Sequence, residues 1–150
     1  MALPERKWLP HMPPSHIRPD EAVFFVTICC EPRGKNHLCN PDSGKAVLDT
    51  IAFYHQRGKW FMHFVLLMPD HLHALVSFPT DDAMPKVVAA WKKHTAHKLG
   101  IHWQRGFFDH RLRNDESWRD KEDYISRNPV RAGLVSRAED WPYVWSSRQR

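Results

Sequence analysis

Hydrophobic and polar positions follow two different spacings along the chain, which predicts a mixed α and β fold. Apolar runs typical of buried strands cover residues 23–29, 60–68 and 71–78, and residues 102–112 are expected to form a short irregular strand. The second and third runs are separated by Pro69-Asp70, residue types that favour a tight turn. We therefore expect these two runs to form a β-hairpin.

Apolar residues recur at helical spacing between the predicted strands. The first helix is expected to begin with Ser43 as its N-cap and to end near Gly58. The second is expected to have Pro85 in its first turn and to stop at Gly100. Asn114 is the expected N-cap of a third helix, whose first turn carries acidic residues that favour the helix dipole.

The order β, α, β, β, α, β, α predicts the fold class. It favours an α+β, ferredoxin-like antiparallel sheet with the helices packed mainly on one face. A chain of 150 residues is of ordinary size for one domain. We expect residues 1–20, rich in proline and basic residues, to form an N-terminal arm, and residues 136–150 to form a C-terminal tail.

Charge and composition narrow the classes of partner. The chain has 22 Lys and Arg against 17 Asp and Glu, a net charge of +5 that favours a polyanion such as nucleic acid. Its apolar runs are too short to span a bilayer, and its first twenty residues lack the apolar region of a secretory signal. We therefore expect a cytoplasmic protein with no membrane partner. The three cysteines lack the spacing of a metal finger.

Two histidines, His71 and His73, stand one residue apart at the start of the third predicted strand. Because side chains alternate along a strand, both imidazoles are expected on the same face. Two imidazoles side by side on a strand make half of a metal site. The alternative is a pair of polar residues on the solvent face of a half-buried strand.

A phenol and an amide are expected close together on the last predicted helix. Tyr124 and Asn128 are four residues apart, and side chains at that spacing are neighbours on one helical face. Pro129 disfavours a helical conformation at Asn128 and so is expected to place its amide at the end of the helix. The alternative is a tyrosine packed where helix and sheet meet, followed by an asparagine that ends the helix.

These motifs together resemble a known family. The segments that carry the resemblance are Met68-Pro69-Asp70-His71-Leu72-His73, Trp103 to Arg111, and Tyr124-Ile125-Ser126-Arg127-Asn128-Pro129-Val130-Arg131-Ala132-Gly133. In order and distance they resemble the single-tyrosine HUH transposases, and most closely the REP-associated tyrosine transposases. The chain departs from that pattern at Arg148, where relatives often carry an aromatic residue.

The resemblance implies an HUH endonuclease fold and a chemistry for the matching residues. It implies that Tyr124 is the nucleophile, and that His71, His73 and Asn128 hold a divalent metal, Mg²⁺ or Mn²⁺. The implied activity is metal-dependent cleavage and rejoining of single-stranded DNA at hairpin, REP-like palindromic sequences through a 5′-phosphotyrosine intermediate. Single-stranded and hairpin DNA are then the expected partners. A monomer is expected, with a dimer as the alternative.

Substrate binding requires further residues around that set. Basic side chains expected to contact DNA are Arg6, Lys7, Arg105, Arg111, Arg113, Arg127 and Arg131. Tryptophans that could stack on unpaired bases are Trp8, Trp103 and Trp141, although each is individually more typical of a core position.

Three other functions are compatible with parts of the sequence. A domesticated, non-catalytic DNA-hairpin-binding protein would have no need of a nucleophile and a metal together. A replication-initiator-like nickase would share the histidine pair and the tyrosine chemistry. A structural zinc protein is disfavoured by the cysteine spacing.

Overall fold

A five-stranded antiparallel sheet forms the centre of the protein, in a computed structural model that describes residues 22–113 and 117–148. The elements are β1 (Phe24–Cys29), α1 (Pro41–Gln56), β2 (Phe61–Met68), β3 (His71–Ser77), α2 (Met84–Leu99), β4 (Phe108–Arg111), α3 (Trp118–Ser126), α4 (Asn128–Arg131) and β5 (Val144–Ser146). The strands lie in the order β4-β1-β3-β2-β5. This architecture confirms the predicted α+β class.

The predicted hairpin of β2 and β3 forms the centre of the sheet. The two strands pair from Met68 opposite His71 to Phe61 opposite Ser77, with an irregularity between Met62 and Phe64. Strand β1 pairs with the other side of β3 and then with β4, so the first strand of the chain lies inside the sheet. Its continuous apolarity is what an inner strand with both faces covered requires.

The two long helices, α1 and α2, cover one face of the sheet. The buried residues between them and the strands include Val26, Ile28, Val47, Ile51, Val65, Leu72, Ala74, Val76, Val88 and Trp91. The Trp91 indole nitrogen donates a hydrogen bond to the Thr50 hydroxyl at 3.0 Å, which joins the two helices. The expectation of helices mainly on one face holds for this pair.

Helix α3 covers the opposite face. Ile125 is 1% exposed and packs with Phe64, Leu66, Met68 and Leu75 from the central hairpin. It is the only fully buried residue of α3. Ile125, with the partly buried Trp118, therefore supplies the apolar contacts by which α3 docks onto the sheet.

Helix boundaries differ from the sequence expectations at the N-termini. Asn40, and not Ser43, caps α1, because its side-chain oxygen accepts the backbone N–H of Ser43 at 2.9 Å while Pro41 begins the helix. Ser117 caps α3, and Asn114 lies outside the described residues. Gly100 ends α2 as expected, with a φ of 71° that suits glycine.

The fourth strand is shorter than its apolar pattern suggested. Only Phe108–Arg111 pair as a strand, whereas Trp103 makes a single isolated bridge to Cys30. Gly106, with a φ of 76°, lies in the turn that interrupts the run. The irregular strand expected over 102–112 is therefore a loop followed by a four-residue edge strand.

The residues expected as a C-terminal tail return to the sheet. Strand β5 pairs with β2, with Trp145 opposite Val65. Trp141 is buried and its indole nitrogen donates to the Leu67 carbonyl at 2.9 Å. The expected arm over residues 1–20 lies outside the described residues. In the part of the chain that is described, no helix is long and apolar enough to cross a membrane.

Replacing Ile125 with alanine should detach α3 more than it disturbs the rest of the fold. The loss of a buried aliphatic side chain of this size costs about 3 kcal/mol of unfolding free energy. Leu134→Ala is the matched control, because Leu134 is 45% exposed and its truncation should cost less than about 0.5 kcal/mol. Urea denaturation of both variants measures the difference, and equal losses would contradict the docking role of Ile125.

Candidate active site

Strand β3 presents its two histidines to the same side of the sheet as α3. Leu72 and Ala74 point into the core under α1 and α2, and the alternation of side chains turns His71 and His73 the other way. The two imidazole rings are 4.8 Å apart, centre to centre. Both residues are half-buried, so that the pair faces a partly shielded surface.

A carboxylate holds the ring of His71. Its Nδ1 donates to Oδ1 of Asp70 at 2.8 Å, because an ionised carboxylate only accepts. Oδ2 of the same carboxylate accepts from Nε of Arg33 at 3.0 Å and from the backbone N–H of Gly34 at 2.7 Å. Burial acts to raise the pKa of Asp70, but these three hydrogen bonds outweigh it and hold that pKa well below its usual range. In the neutral form of the ring, a proton held on Nδ1 by this carboxylate leaves the lone pair on Nε2.

A hydroxyl from the neighbouring strand holds the ring of His73. Oγ1 of Thr27, its cross-strand partner on β1, lies 2.9 Å from Nδ1. Burial, together with the charges of His71 and Arg131, lowers the pKa of His73 to about 4, so the ring is neutral at neutral pH. In the tautomer in which Nδ1 donates to the hydroxyl oxygen, Nε2 carries the lone pair that a metal ion requires.

Tyr124 presents its phenol to solvent from α3. The side chain is 62% exposed, although its neighbour Ile125 is buried. The Arg131 guanidinium lies 4.3 Å from the centre of the phenol ring and donates to the Tyr124 carbonyl at 2.9 Å. Helix α3 lies on the histidine face of the sheet, because its Lys121 ammonium is 5.6 Å from the centre of the Phe25 ring and that ring is 5.4 Å from the His73 ring.

Asn128 begins a short helix of its own and does not end α3. Helix α3 stops at Ser126, Arg127 separates the two helices, and Pro129 occupies the second position of α4. The Asn128 side-chain oxygen accepts a hydrogen bond from Arg131. An amide oxygen has two lone pairs, so this bond leaves one for a further partner.

The predicted basic residues are distributed over different parts of the surface. Arg131 contacts the tyrosine segment, and Arg127 is exposed between α3 and α4. Arg105 is exposed in a loop anchored near the histidines, since the N–H of Gln104 donates to the Cys29 carbonyl at 2.7 Å and Cys29 pairs with His71.

Arg111 lies on the opposite face of the sheet. Its guanidinium is 5.9 Å from the ring of Phe24, which belongs to the core under α1 and α2. The structure therefore does not bring Arg111 to the histidine pair. Arg113 follows the edge strand in an exposed position, and Arg6 and Lys7 lie outside the described residues.

Two of the tryptophans proposed for base stacking pack against the hydrophobic clusters of the protein. Trp141 is buried, as described above, and Trp103 donates to Thr95 at 2.8 Å and packs 5.2 Å from Trp91. Trp8 lies outside the described residues. Trp141 is too buried to offer a stacking surface, whereas Trp103 is half-buried and its stacking role stays a prediction.

Three residues of the site were not identified from the sequence as functional. Thr27 looked like one β-branched residue of a strand, and Asp70 like a turn residue. Arg33 lies in the turn-rich segment before α1. Only the strand register and the approach of that segment to the hairpin turn reveal their contacts with the histidines.

Other metal or nucleophile chemistry finds little support in the described residues. Over 22–113 and 117–148 there is no group of three or more His, Cys, Asp or Glu that could hold a metal ion. The cysteines are free. Burial raises the pKa of Cys30 and of Cys39 to about 12, which keeps both thiols protonated and poorly nucleophilic.

Comparison with known proteins relates this arrangement to a family of transposases. A Haemophilus influenzae protein assigned as a REP-associated tyrosine transposase is 28% identical over 141 residues, covering 81% of this chain and 77% of the relative. The REP-associated tyrosine transposase of Escherichia coli K12 is 35% identical over 81 residues, covering 52% of this chain and 49% of the relative.

A solved structure shows the same fold. It is that of a REP-associated tyrosine transposase bound to a REP hairpin, which matches with a TM-score of 0.70 and 26% identity over 82% of this chain and 75% of the other. The sequence profile described as "Transposase IS200 like" matches residues 25–128, from β1 to the start of α4. Since these residues make up more than half of the chain and include both histidines and the tyrosine, the protein belongs to the IS200-like transposase family.

Proposed function

We propose that the protein cleaves and rejoins single-stranded DNA at hairpin, REP-like palindromic sequences, with Tyr124 as the nucleophile. The observation that supports this proposal is an exposed phenol on α3, a helix that packs on the histidine face of the sheet, together with two imidazoles whose Nδ1 atoms both have hydrogen-bond partners. The solved relative bound to a REP hairpin supports the substrate class. The activity is proposed for the cytoplasm.

The reaction is a transfer of the phosphoryl link from a sugar to the tyrosine. The Tyr124 hydroxyl oxygen attacks the phosphorus and forms a 5′-phosphotyrosine bond, while the bond from phosphorus to the 3′ oxygen breaks. The phenol proton leaves to solvent and the 3′ oxygen takes up a proton. Since one phosphate ester replaces another, a 3′ hydroxyl can attack the phosphotyrosine and rejoin the strands.

The donor set fits a divalent metal ion, Mg²⁺ or Mn²⁺. His71 and His73 would hold it through Nε2, and Asn128 would add its amide oxygen. When bound, such an ion acts as a Lewis acid that withdraws charge from the scissile phosphate. Imidazole donors bind Mn²⁺ more tightly than Mg²⁺. Which ion occupies the site then depends on the concentrations of the two ions.

The basic residues near the tyrosine would position the DNA backbone. Arg131 is held against the phenol ring and Arg127 is exposed beside it. Arg105 lies in the loop next to Cys29, the residue of β1 that pairs with His71. Because one chain supplies both the histidines and the tyrosine segment next to them, we propose that a monomer contains a complete site.

Tyr124→Phe should abolish the covalent link to DNA and leave DNA binding within about twofold, because it removes only the nucleophilic oxygen. The assay incubates the protein with a hairpin oligonucleotide carrying single-stranded flanks and Mn²⁺, followed by denaturing electrophoresis. Tyr54→Phe is the control. Tyr54 lies on α1 and packs on Trp60, so this variant should still form the adduct. An adduct that persists in Tyr124→Phe would overturn the assignment, and a parent protein that binds without any adduct would favour the non-catalytic binder.

His71→Ala and His73→Ala should each reduce cleavage at least about a hundredfold while hairpin binding in EDTA stays near that of the parent. Asn128→Ala should weaken metal affinity and slow cleavage less than the loss of a histidine. His97→Ala, an exposed position on α2, is the matched control. Cleavage at the parental rate by either histidine variant would remove the metal role of the pair.

Asp70→Asn and Thr27→Val should weaken Mn²⁺ binding about tenfold or more, since each removes a group that orients a histidine. The measurement is Mn²⁺ titration followed by electron paramagnetic resonance, which requires no DNA. Asp49→Asn, an exposed carboxylate paired with Lys45, controls for the loss of one negative charge. If Asp49→Asn weakens binding as much as Asp70→Asn does, the effect is a general one of charge and the orienting role is contradicted.

A further inference from the structure

Phe108 is an exposed aromatic residue on the edge of the sheet. It begins β4, all of whose residues are exposed, and 67% of its surface is accessible. A single exposed hydrophobic residue is common on protein surfaces and indicates nothing by itself. Its position relative to the histidines is what distinguishes it.

The strand register puts Phe108 in one row with the candidate active site. Phe108 pairs with Thr27 on β1, and Thr27 pairs with His73 on β3. Directly opposed residues of antiparallel strands project from the same face of the sheet. The Phe108 ring therefore lies on the histidine face, two strand spacings or roughly 10 Å from His73.

The surface around this row is aromatic and basic. Phe25, two residues before Thr27, lies on the same face, and the Lys121 ammonium of α3 is 5.6 Å from its ring centre. On the same segment as α3, the Arg131 guanidinium lies 4.3 Å from the centre of the Tyr124 ring. Asp109, by contrast, alternates to the opposite face of β4. Aromatic rings between cations match single-stranded DNA, whose bases stack and whose phosphates are anionic.

We propose that Phe108 is a stacking platform for an unpaired base of single-stranded DNA flanking the hairpin, close to the phosphodiester that Tyr124 attacks. This inference rests on the proposed function and adds a contact to it. The ring lies too far from His73 to touch the reacting phosphate, but a neighbouring nucleotide of the same strand reaches it. Stacking on a phenylalanine is tolerant of base identity, so the residue positions the flank and does not read its sequence.

The first test compares DNA affinities with matched aromatic variants. Phe108→Ala should raise the Kd for a hairpin with a single-stranded flank about tenfold. Its Kd for the blunt hairpin should be unchanged, and Phe108→Trp should bind the flanked hairpin as well as the parent. Phe53→Ala is the control, since Phe53 is 55% exposed on α1 and far from the histidine face. An equal Kd for parent and Phe108→Ala on the flanked hairpin would overturn the proposal.

A scan with abasic nucleotides locates the stacked base. At one flank position, loss of the base should weaken the parent about tenfold and have no further effect on Phe108→Ala, because the two changes remove the same contact. If the losses of affinity from the abasic nucleotide and from Phe108→Ala are additive at every flank position, the stacking contact is contradicted. A large fall in the thermal midpoint of Phe108→Ala without loss of affinity would mean that the ring packs within the protein, which also overturns the proposal.

Photocross-linking separates this proposal from the proposed function. A flank carrying 5-iodouracil at the identified position should cross-link to the peptide containing Phe108, and the cross-link should disappear in Phe108→Ala but persist in Tyr124→Phe. If the cross-link forms while no phosphotyrosine forms in the parent, stacking stands and catalysis fails. If phosphotyrosine forms at the parental rate in Phe108→Ala and no cross-link maps to residue 108, catalysis stands and stacking fails.

Discussion

The pairing register of β1 with β3 is the constraint on which the candidate active site depends. It puts Thr27 opposite His73 and Cys29 opposite His71. A slip of one residue would turn both histidines into the apolar core under α1 and α2 and would bring Leu72 and Ala74 to the surface. Burial of those apolar side chains opposes such a slip, so the stability of the core and the geometry of the site have the same origin.

The two halves of the site are held in different ways. Both histidines belong to the inner strand β3. Their rings are held by the Asp70 carboxylate of the hairpin turn and by the Thr27 hydroxyl of β1. The tyrosine belongs to a short helix with one fully buried side chain, Ile125, and with an ion pair between Glu122 and Arg148. The half of the site that carries the histidines is therefore expected to be the more rigid, and adjustment of the site is expected in α3.

The distribution of charge explains why a basic sequence does not by itself locate a DNA-binding surface. Phe108 and Arg111 stand at the two ends of one four-residue strand, and they project from opposite faces of the sheet. Arg111 packs over Phe24, whereas the aromatic ring faces the side that carries the histidines. Trp103 and Trp141 are two tryptophans that the sequence offered as stacking groups. Both donate their indole N–H within the protein and pack against its hydrophobic clusters.

The sequence by itself determined the class of fold, the hairpin and the shared face of His71 and His73, because these follow from local periodicity and turn chemistry. It also indicated that Tyr124 and Asn128 belong to one segment. Tertiary structure decided which face of the sheet α3 covers, how residues 144–146 return as a strand, and which groups orient the imidazoles. Those contacts join residues up to 82 positions apart, as in the pairing of Phe64 with Ser146, and no local pattern records them, because they arise only when separate elements pack together.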